Sequence, residues 1–203
     1  MFGFPSSTEI KKQLPKRAIY AKFDMSASQR ECFDADISRI DIVSIVSLKT
    51  VPTLAEGEEV KEFYVLGVQL KQKEYDPKNI TMLTKLIPHK MVFALHYGEK
   101  IQFVIYHTKL ISSAWQSIEE ATLPLLGLNL DSVWENIVTH IGQIKISEGN
   151  TLAEQIKVEE IRTKMKAQIA SLTQRLNKEK QFNRQMEINA EIKLLRKQLL
   201  NLI

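Results

Sequence analysis

The sequence predicts an α+β protein: a two-layer domain with a largely antiparallel sheet, followed by a C-terminal helical hairpin or coiled-coil arm. Three observations carry that prediction. Short β-branched and aromatic runs such as "IDIVSIVSL" and "VKEFYVLGVQLK" alternate with helix-start signals through the first 146 residues. "KMVFALHYGEKIQFVIYH" is two apolar runs joined around Gly98, the pattern of a strand hairpin. From Thr151 onward Gly and Pro vanish, and Lys, Glu, Gln, Leu and Ile recur at helical spacing.

Taken in order, "SSTEIKKQL" opens with capping residues and reads as a short helix stopped by Pro15, and "AIYAKF" reads as a strand. Ser26 and Gln29 form a capping box, with Phe33, Ile37 and Ile40 following at helical spacing, so a helix is expected from Ser26 to Arg39. "IDIVSIVSL" is β-branched and short, hence a strand. "VPTLAEGEE" has the composition of an exposed loop, and "VKEFYVLGVQLK" is apolar on both faces over much of its length, which argues for a central strand covered on both sides. Asp76 before Pro77 starts a helix whose buried stripe is Ile80, Leu83 and Ile87, ended by Pro88.

The body then runs β, α, β, β, α, β, β, for which helices on one face of the sheet and a ferredoxin-like strand order are the closest named arrangement. In "LLGLNLDSVWENIVTHIG", Val133, Trp134, Ile137, Val138 and Ile141 share one face and Gly142 terminates, giving a docked helix at about 131–141. The expected organisation is a body over 1–146, a linker "SEGN" at 147–150 and an arm over 151–203. In the arm, Ile161, Met165, Ile169, Leu172 and Leu176 mark one stripe and Ile188, Ile192, Leu195, Leu199 and Leu202 a second. Two helices of roughly 25 residues, each about 35 Å long, are implied. A single rod whose seam needs a second chain is the alternative, so self-association through the arm stays open.

Charge is distributed unevenly. Residues 151–203 carry 11 Lys and Arg against 6 Asp and Glu, so the net charge of +4 belongs to the arm and the body is near neutral. Within "RLNKEKQFNRQMEIN", Arg175, Lys178, Lys180 and Arg184 surround Phe182 at the break between the stripes. The single cysteine, Cys32, excludes an intramolecular disulfide and points to a reducing, cytoplasmic setting. No window approaches the roughly 18 apolar residues of a membrane span, and the N-terminus has no long apolar leader, so no membrane role is expected.

Catalytic signals are sparse. His89, His96, His107 and His140 lack metal-ligand spacing, "KLISSAWQS" lacks a nucleophile elbow, and no Gly-rich loop offers a phosphate cradle, so no metal and no cofactor is expected. Cys32 reads as a small buried or half-buried hydrophobe, and Trp115 and Trp134 as packing anchors. The one enzymatic pattern is that of a divalent-metal nuclease, with Asp41 on one strand and Gln69 two residues before Lys71 on the next, sharing a face by period-two alternation. Gln69 supplies only an amide where such chemistry wants a second carboxylate, and a strand end meeting solvent explains the same residues.

The segments "KQLPKRAIYAKF", "LIPHKMVFAL", "YHTKL", "GLNLDSVWENIV" and "KEKQFNRQMEINAEIKLLRKQL" resemble a bacterial family built on a domain of unknown function, across nearly the whole chain. The resemblance implies genes that often neighbour those of helicases and DNA methyltransferases, in restriction-like or phage-defence clusters. It supplies no catalytic residues. Some members of the family carry a Glu at the position of Gln69, and this chain departs from them there.

The leading expectation is therefore a non-enzymatic accessory or assembly protein that docks on a larger helicase- or methyltransferase-like subunit. Arg175, Lys178, Lys180, Phe182, Arg184, Arg196 and Lys197 are the candidate partner- or nucleic-acid-binding residues. Two alternatives stand beside it: a DNA-binding module acting through the basic arm, and a degenerate Mg-dependent nuclease using Asp41, Gln69 and Lys71.

Overall fold

Ile37, Ile40 and Ile42 stand opposite Leu70, Val68 and Leu66 on the neighbouring strand, and this apolar ladder is the spine of the first structural unit. In the computed structural model, residues 2–144 and 151–200 are described, and the expected linker at 147–150 lies outside them. The chain divides into two compact units, Met1–Gln143 and Ile144–Ile203.

The first unit is built on a seven-stranded sheet ordered β1 (Glu9–Gln13), β2 (Ile37–Ser47), β3 (Glu62–Leu70), β4 (Lys90–Tyr97), β5 (Lys100–Tyr106) and β6 (Leu110–Ser112), with β7 (Gln116–Ser117) also pairing β5. Each pair is antiparallel except β3 with β4. The mixed, mostly antiparallel α+β class is thus as expected. The ferredoxin-like order gives way to a sequential one, in which each strand from β1 to β6 lies beside its successor along the chain and only the helix α3 (Pro77–Leu83) makes a parallel crossover. The β4–β5 hairpin turns through Gly98, whose φ of +57° suits a residue without a Cβ.

Side-chain alternation divides the sheet into two buried faces. Ile40, Leu66, Val68, Phe93, Leu95 and Val104 pack with Ile19, Met25, Phe33, Ile80 and Leu83 from the helices α1 (Lys16–Lys22), α2 (Ala27–Asp36) and α3. On the opposite face Phe63 meets the rings of Phe4 at 6.3 Å and Trp134 at 5.6 Å, and Phe103 meets Phe2 at 5.2 Å. That face is covered by the N-terminal segment and by α4 (Leu130–Gly142), whose Val133, Trp134, Ile137, Val138 and Ile141 are all buried. Trp134 is the packing anchor expected of it, and Trp115 packs at the edge of the first cluster. The docked helix is real, and it lies on the face away from the other three.

Four local expectations are corrected. "SSTEIKKQL" forms a 3₁₀ turn at Ser6–Thr8 and the edge strand β1, because Glu9, Lys12 and Gln13 find partners at Ser44, Ile42 and Asp41 and the exposed Lys side chains suit an edge. "AIYAKF" lies mostly in the helix α1, which starts after Pro15; so short an apolar run does not distinguish strand from helix. The helix capped by Ser26 and Gln29 ends at Asp36, where Ile37 begins pairing with β3. Cys32 is exposed on that helix rather than buried or half-buried.

The second unit is an antiparallel-type hairpin of α5 (Leu152–Lys178) and α6 (Phe182–Leu200). Thr151 and Glu154 cap its start with reciprocal hydrogen bonds. Leu172, Ile188 and Ile192 are buried between the helices, with Ile169, Leu176 and Leu195 packed against them. Ile188, Ile192 and Leu195 of the second stripe therefore close on Ile169, Leu172 and Leu176 of the first within one chain.

Candidate functional site

The hairpin turn is made by a charged residue. Glu179 leaves helical geometry at φ −74° and ψ 134°, and its carboxylate accepts the N–H groups of Lys180 at 2.8 Å and Gln181 at 3.0 Å. Those donors lie in the turn immediately ahead of α6. Gln185 closes the turn from the other side by donating Nε2–H to the Glu179 carbonyl at 2.8 Å. The two backbone N–H groups, then the charges of Arg184 and Arg175, hold the Glu179 carboxyl below its usual range.

This turn brings Arg175, Lys178, Lys180, Phe182 and Arg184 to one end of the hairpin. Phe182 does not seal the seam: its residue is 72% exposed. One turn along, Met186 is 57% exposed and shares its face, as residues four apart on a helix do. Ala190 and Leu194 continue the line, with Leu194 58% exposed. At about 100° per residue, Phe182, Met186, Ala190 and Leu194 span an arc of roughly 120° that lies opposite the seam of Ile188, Ile192 and Leu195. Lys193 and Lys197 fall inside the same arc, and no carboxylate does.

The sequence pattern singles out Phe182 but not Met186 and Leu194, whose spacings of four and twelve from Phe182 are hidden by the stronger stripe beside them. Glu179 was missed because a turn was sought in Gly or Pro. Arg196 and Lys197 are exposed, about 18 Å along the helix from Arg184, and do not belong to the tip. Lys197 joins the outer arc instead.

The nuclease-type residues are arranged differently. Asp41 stands opposite Gly67 and Arg39 opposite Gln69, so Asp41 and Gln69 share a face of adjacent strands. Arg39 grips Asp41 with both Nε and Nη2, at 2.7 to 3.0 Å, which engages both carboxylate oxygens in a fork-like pair. Gln69 donates from Nε2 to the His96 carbonyl at 3.4 Å. β3 ends at Leu70, so period-two alternation does not carry to Lys71, whose N–H is bonded to the Asp36 carbonyl at 2.8 Å. The Lys71 charge acts on Asp34, where burial works against ionisation but hydrogen bonds from Lys16 and Tyr20 outweigh it and hold the carboxyl below its usual value. Among the described residues no three His, Cys, Asp or Glu side chains gather as a metal would need.

Fold and surface together define a mixed α/β domain carrying a basic helical hairpin with an exposed aromatic tip, and no helix among the described residues is long and apolar enough to cross a membrane. The chain belongs to the family described as Domain of unknown function (DUF4391), whose model matches residues 2–199. Neither the curated proteins nor the solved structures offer a match.

Proposed function

We propose that this chain is a non-enzymatic accessory protein that docks on a larger protein subunit through the tip and outer face of its C-terminal hairpin. The observation that carries the reading is the pair Phe182 and Met186, large apolar side chains held in solvent one helical turn apart while the same helix buries a separate seam. Exposed aromatic and Met side chains are typical interface anchors, and isolated polar hairpins have no use for them. Arg175, Lys178, Lys180 and Arg184 around the tip, with Lys193 and Lys197 on the outer arc, favour an acidic surface on the partner. By the family resemblance, that partner is a helicase- or methyltransferase-like subunit of a bacterial DNA-modification or phage-defence system.

The test is a photo-cross-linking amino acid placed at position 182 of the full chain, in its native host. The reading expects one dominant cross-linked polypeptide, insensitive to nuclease treatment, with the adduct on an acidic surface segment. The same association should be lost in Phe182→Ala/Met186→Ser. Diffuse cross-linking, or association that survives that double variant, sinks it. A second reading, direct contact of the same cations with DNA phosphates, is favoured by the excess of 11 Lys and Arg over 6 Asp and Glu in the arm.

A further inference from the structure

Thr84 and Lys85 follow the last turn of α3, His89 and Lys90 lead into β4, and Tyr106 and His107 close β5. Because β4 and β5 are antiparallel, with Val92 opposite Ile105, the start of one lies beside the end of the other. These six residues and Met91 line a cleft of about 330 Å³. A second cleft of about 490 Å³ adjoins it through Thr84, His89 and Lys90.

The first cleft has a one-sided chemistry. Its walls offer two ammonium groups, two imidazoles and two hydroxyls, and no carboxylate. Among the described residues neither Lys85 nor Lys90 has an ion-pair partner. The Nδ1 atom of His107 is buried without a hydrogen-bond partner, an arrangement that normally costs stability. Carboxylates lie on the second cleft's side, where Glu62 accepts from the Tyr64 hydroxyl at 2.7 Å and meets His89 Nε2 at 3.4 Å. Glu59 also lines that second cleft, and its charge opposes that of Lys90 at His107.

Two ammonium groups without an ion-pair partner and the Tyr106 hydroxyl line one hollow, in which the Thr84 hydroxyl is already donated to the Thr81 carbonyl at 2.7 Å and His89 Nε2 faces Glu62, and this lining suits an anion with several acceptor oxygens. A tetrahedral phosphate presents more acceptors in more directions than a planar carboxylate does. The volume falls at the small end of ligand pockets, enough for a phosphate and part of what carries it. We propose that this cleft binds a phosphate group. The site is about 20 Å along β4 from His96 and Gln69, and it is independent of the hairpin and of the function proposed for it.

The experiment follows the imidazole C–H signals of the four histidines of the full chain by NMR during titration with pyrophosphate, a 5′-phosphorylated oligonucleotide and its 5′-hydroxyl counterpart. The site predicts saturable shifts of His89 and His107 with little movement of His96 and His140. Lys85→Ala/Lys90→Ala, both at exposed positions, should weaken the response at least tenfold, and Lys85→Arg/Lys90→Arg should restore most of it. A stronger response to the 5′-phosphorylated oligonucleotide than to its counterpart assigns a nucleic-acid terminus. Equal strength with pyrophosphate alone assigns a free phosphate ligand. No selective shift at His89 and His107 with any of the three, or shifts unchanged in the double alanine variant, overturns the proposal.

Discussion

Gln185 reaches back across the hairpin turn to the carbonyl of Glu179 at 2.8 Å, while the Glu179 carboxylate faces forward onto the N–H groups of Lys180 and Gln181. One residue therefore terminates α5 and ties down the two N–H groups ahead of α6. Since backbone donors lower its pKa, the stabilisation is fully present above the ordinary carboxyl range and is lost as pH falls through the lowered folded value. Hydrogen exchange at the Lys180 and Gln181 amides should accelerate relative to the helix interiors on acidification from pH 7 to below 4. Glu179→Ala should show that acid behaviour already at neutral pH. Matching exchange in variant and parent would remove the turn from Glu179.

Phe182 and Ile188 are six residues apart and are expected to behave oppositely. Ile188 is buried in the seam, so Ile188→Ala should destabilise the hairpin by about 2–4 kcal/mol. Phe182→Ala removes a side chain that is mostly in solvent and should alter stability by no more than about 0.5 kcal/mol. In partner binding the order reverses: Phe182→Ala should weaken association at least tenfold, as loss of an anchor does. Thermal melts and binding titrations on the two variants check both halves, and a Phe182→Ala protein that melts early but binds normally contradicts the assignment.

Much of this architecture was legible in the residues, for identifiable reasons. Asp76 before Pro77, the Ser26–Gln29 box and the one-sided apolar pattern of Val133 to Ile141 are local signals, and the helices start or lie where those signals put them. The edge strand β1 was not legible, because its conformation comes from pairing with β2 rather than from its own polar sequence. The phosphate-type cleft was not legible either. Lys85 and His107 are 22 positions apart with no motif between them, and only the antiparallel return of β5 brings them together.

Asp131 provides a second acid-sensitive clamp. Its carboxylate accepts N–H groups from Val60 at 2.7 Å, Glu58 at 2.6 Å and Glu59 at 3.2 Å, tying the loop before β3 to the first turn of α4. The backbone bond from Val60, against a smaller opposing effect of burial, leads the causes that lower the Asp131 pKa. This contribution too is present above the usual Asp range and is lost as pH falls through the lowered value. Asp131→Asn should raise amide exchange at Glu58 and Val60 at neutral pH. Gly57→Ala should do likewise, because a Cβ there would lie 2.4 Å from a carboxylate oxygen. Unchanged exchange in both variants would show that the loop is held by something else.

The tip cations separate protein docking from DNA binding by their salt dependence. If Lys178, Lys180 and Arg184 contact phosphates, replacing all three with Ala should reduce the slope of log affinity against log salt by roughly 2.7 on duplex DNA. Under the docking reading, the same variant slows association with the protein partner and leaves the Phe182-dependent part of the affinity in place. Fluorescence anisotropy on a short duplex between 50 and 200 mM salt decides the first. No measurable binding at the lowest salt removes the DNA reading.

Arg39 and Asp41 set the terms for any catalytic role. With both Asp41 oxygens held by the Arg39 guanidinium, a divalent cation would have to displace a cation already in place. Gln69 contributes an amide that is already directed at the His96 carbonyl. The expected outcome is that the purified chain leaves duplex and single-stranded DNA intact in Mg²⁺ or Mn²⁺. Arg39→Ala/Gln69→Glu frees one carboxylate and supplies a second on the same face, and is the variant in which metal binding should first be detectable by Mn²⁺ relaxation. Cutting by the parent protein that disappears in Lys71→Ala would reverse this conclusion and make the strand face, rather than the hairpin, the functional centre of the molecule.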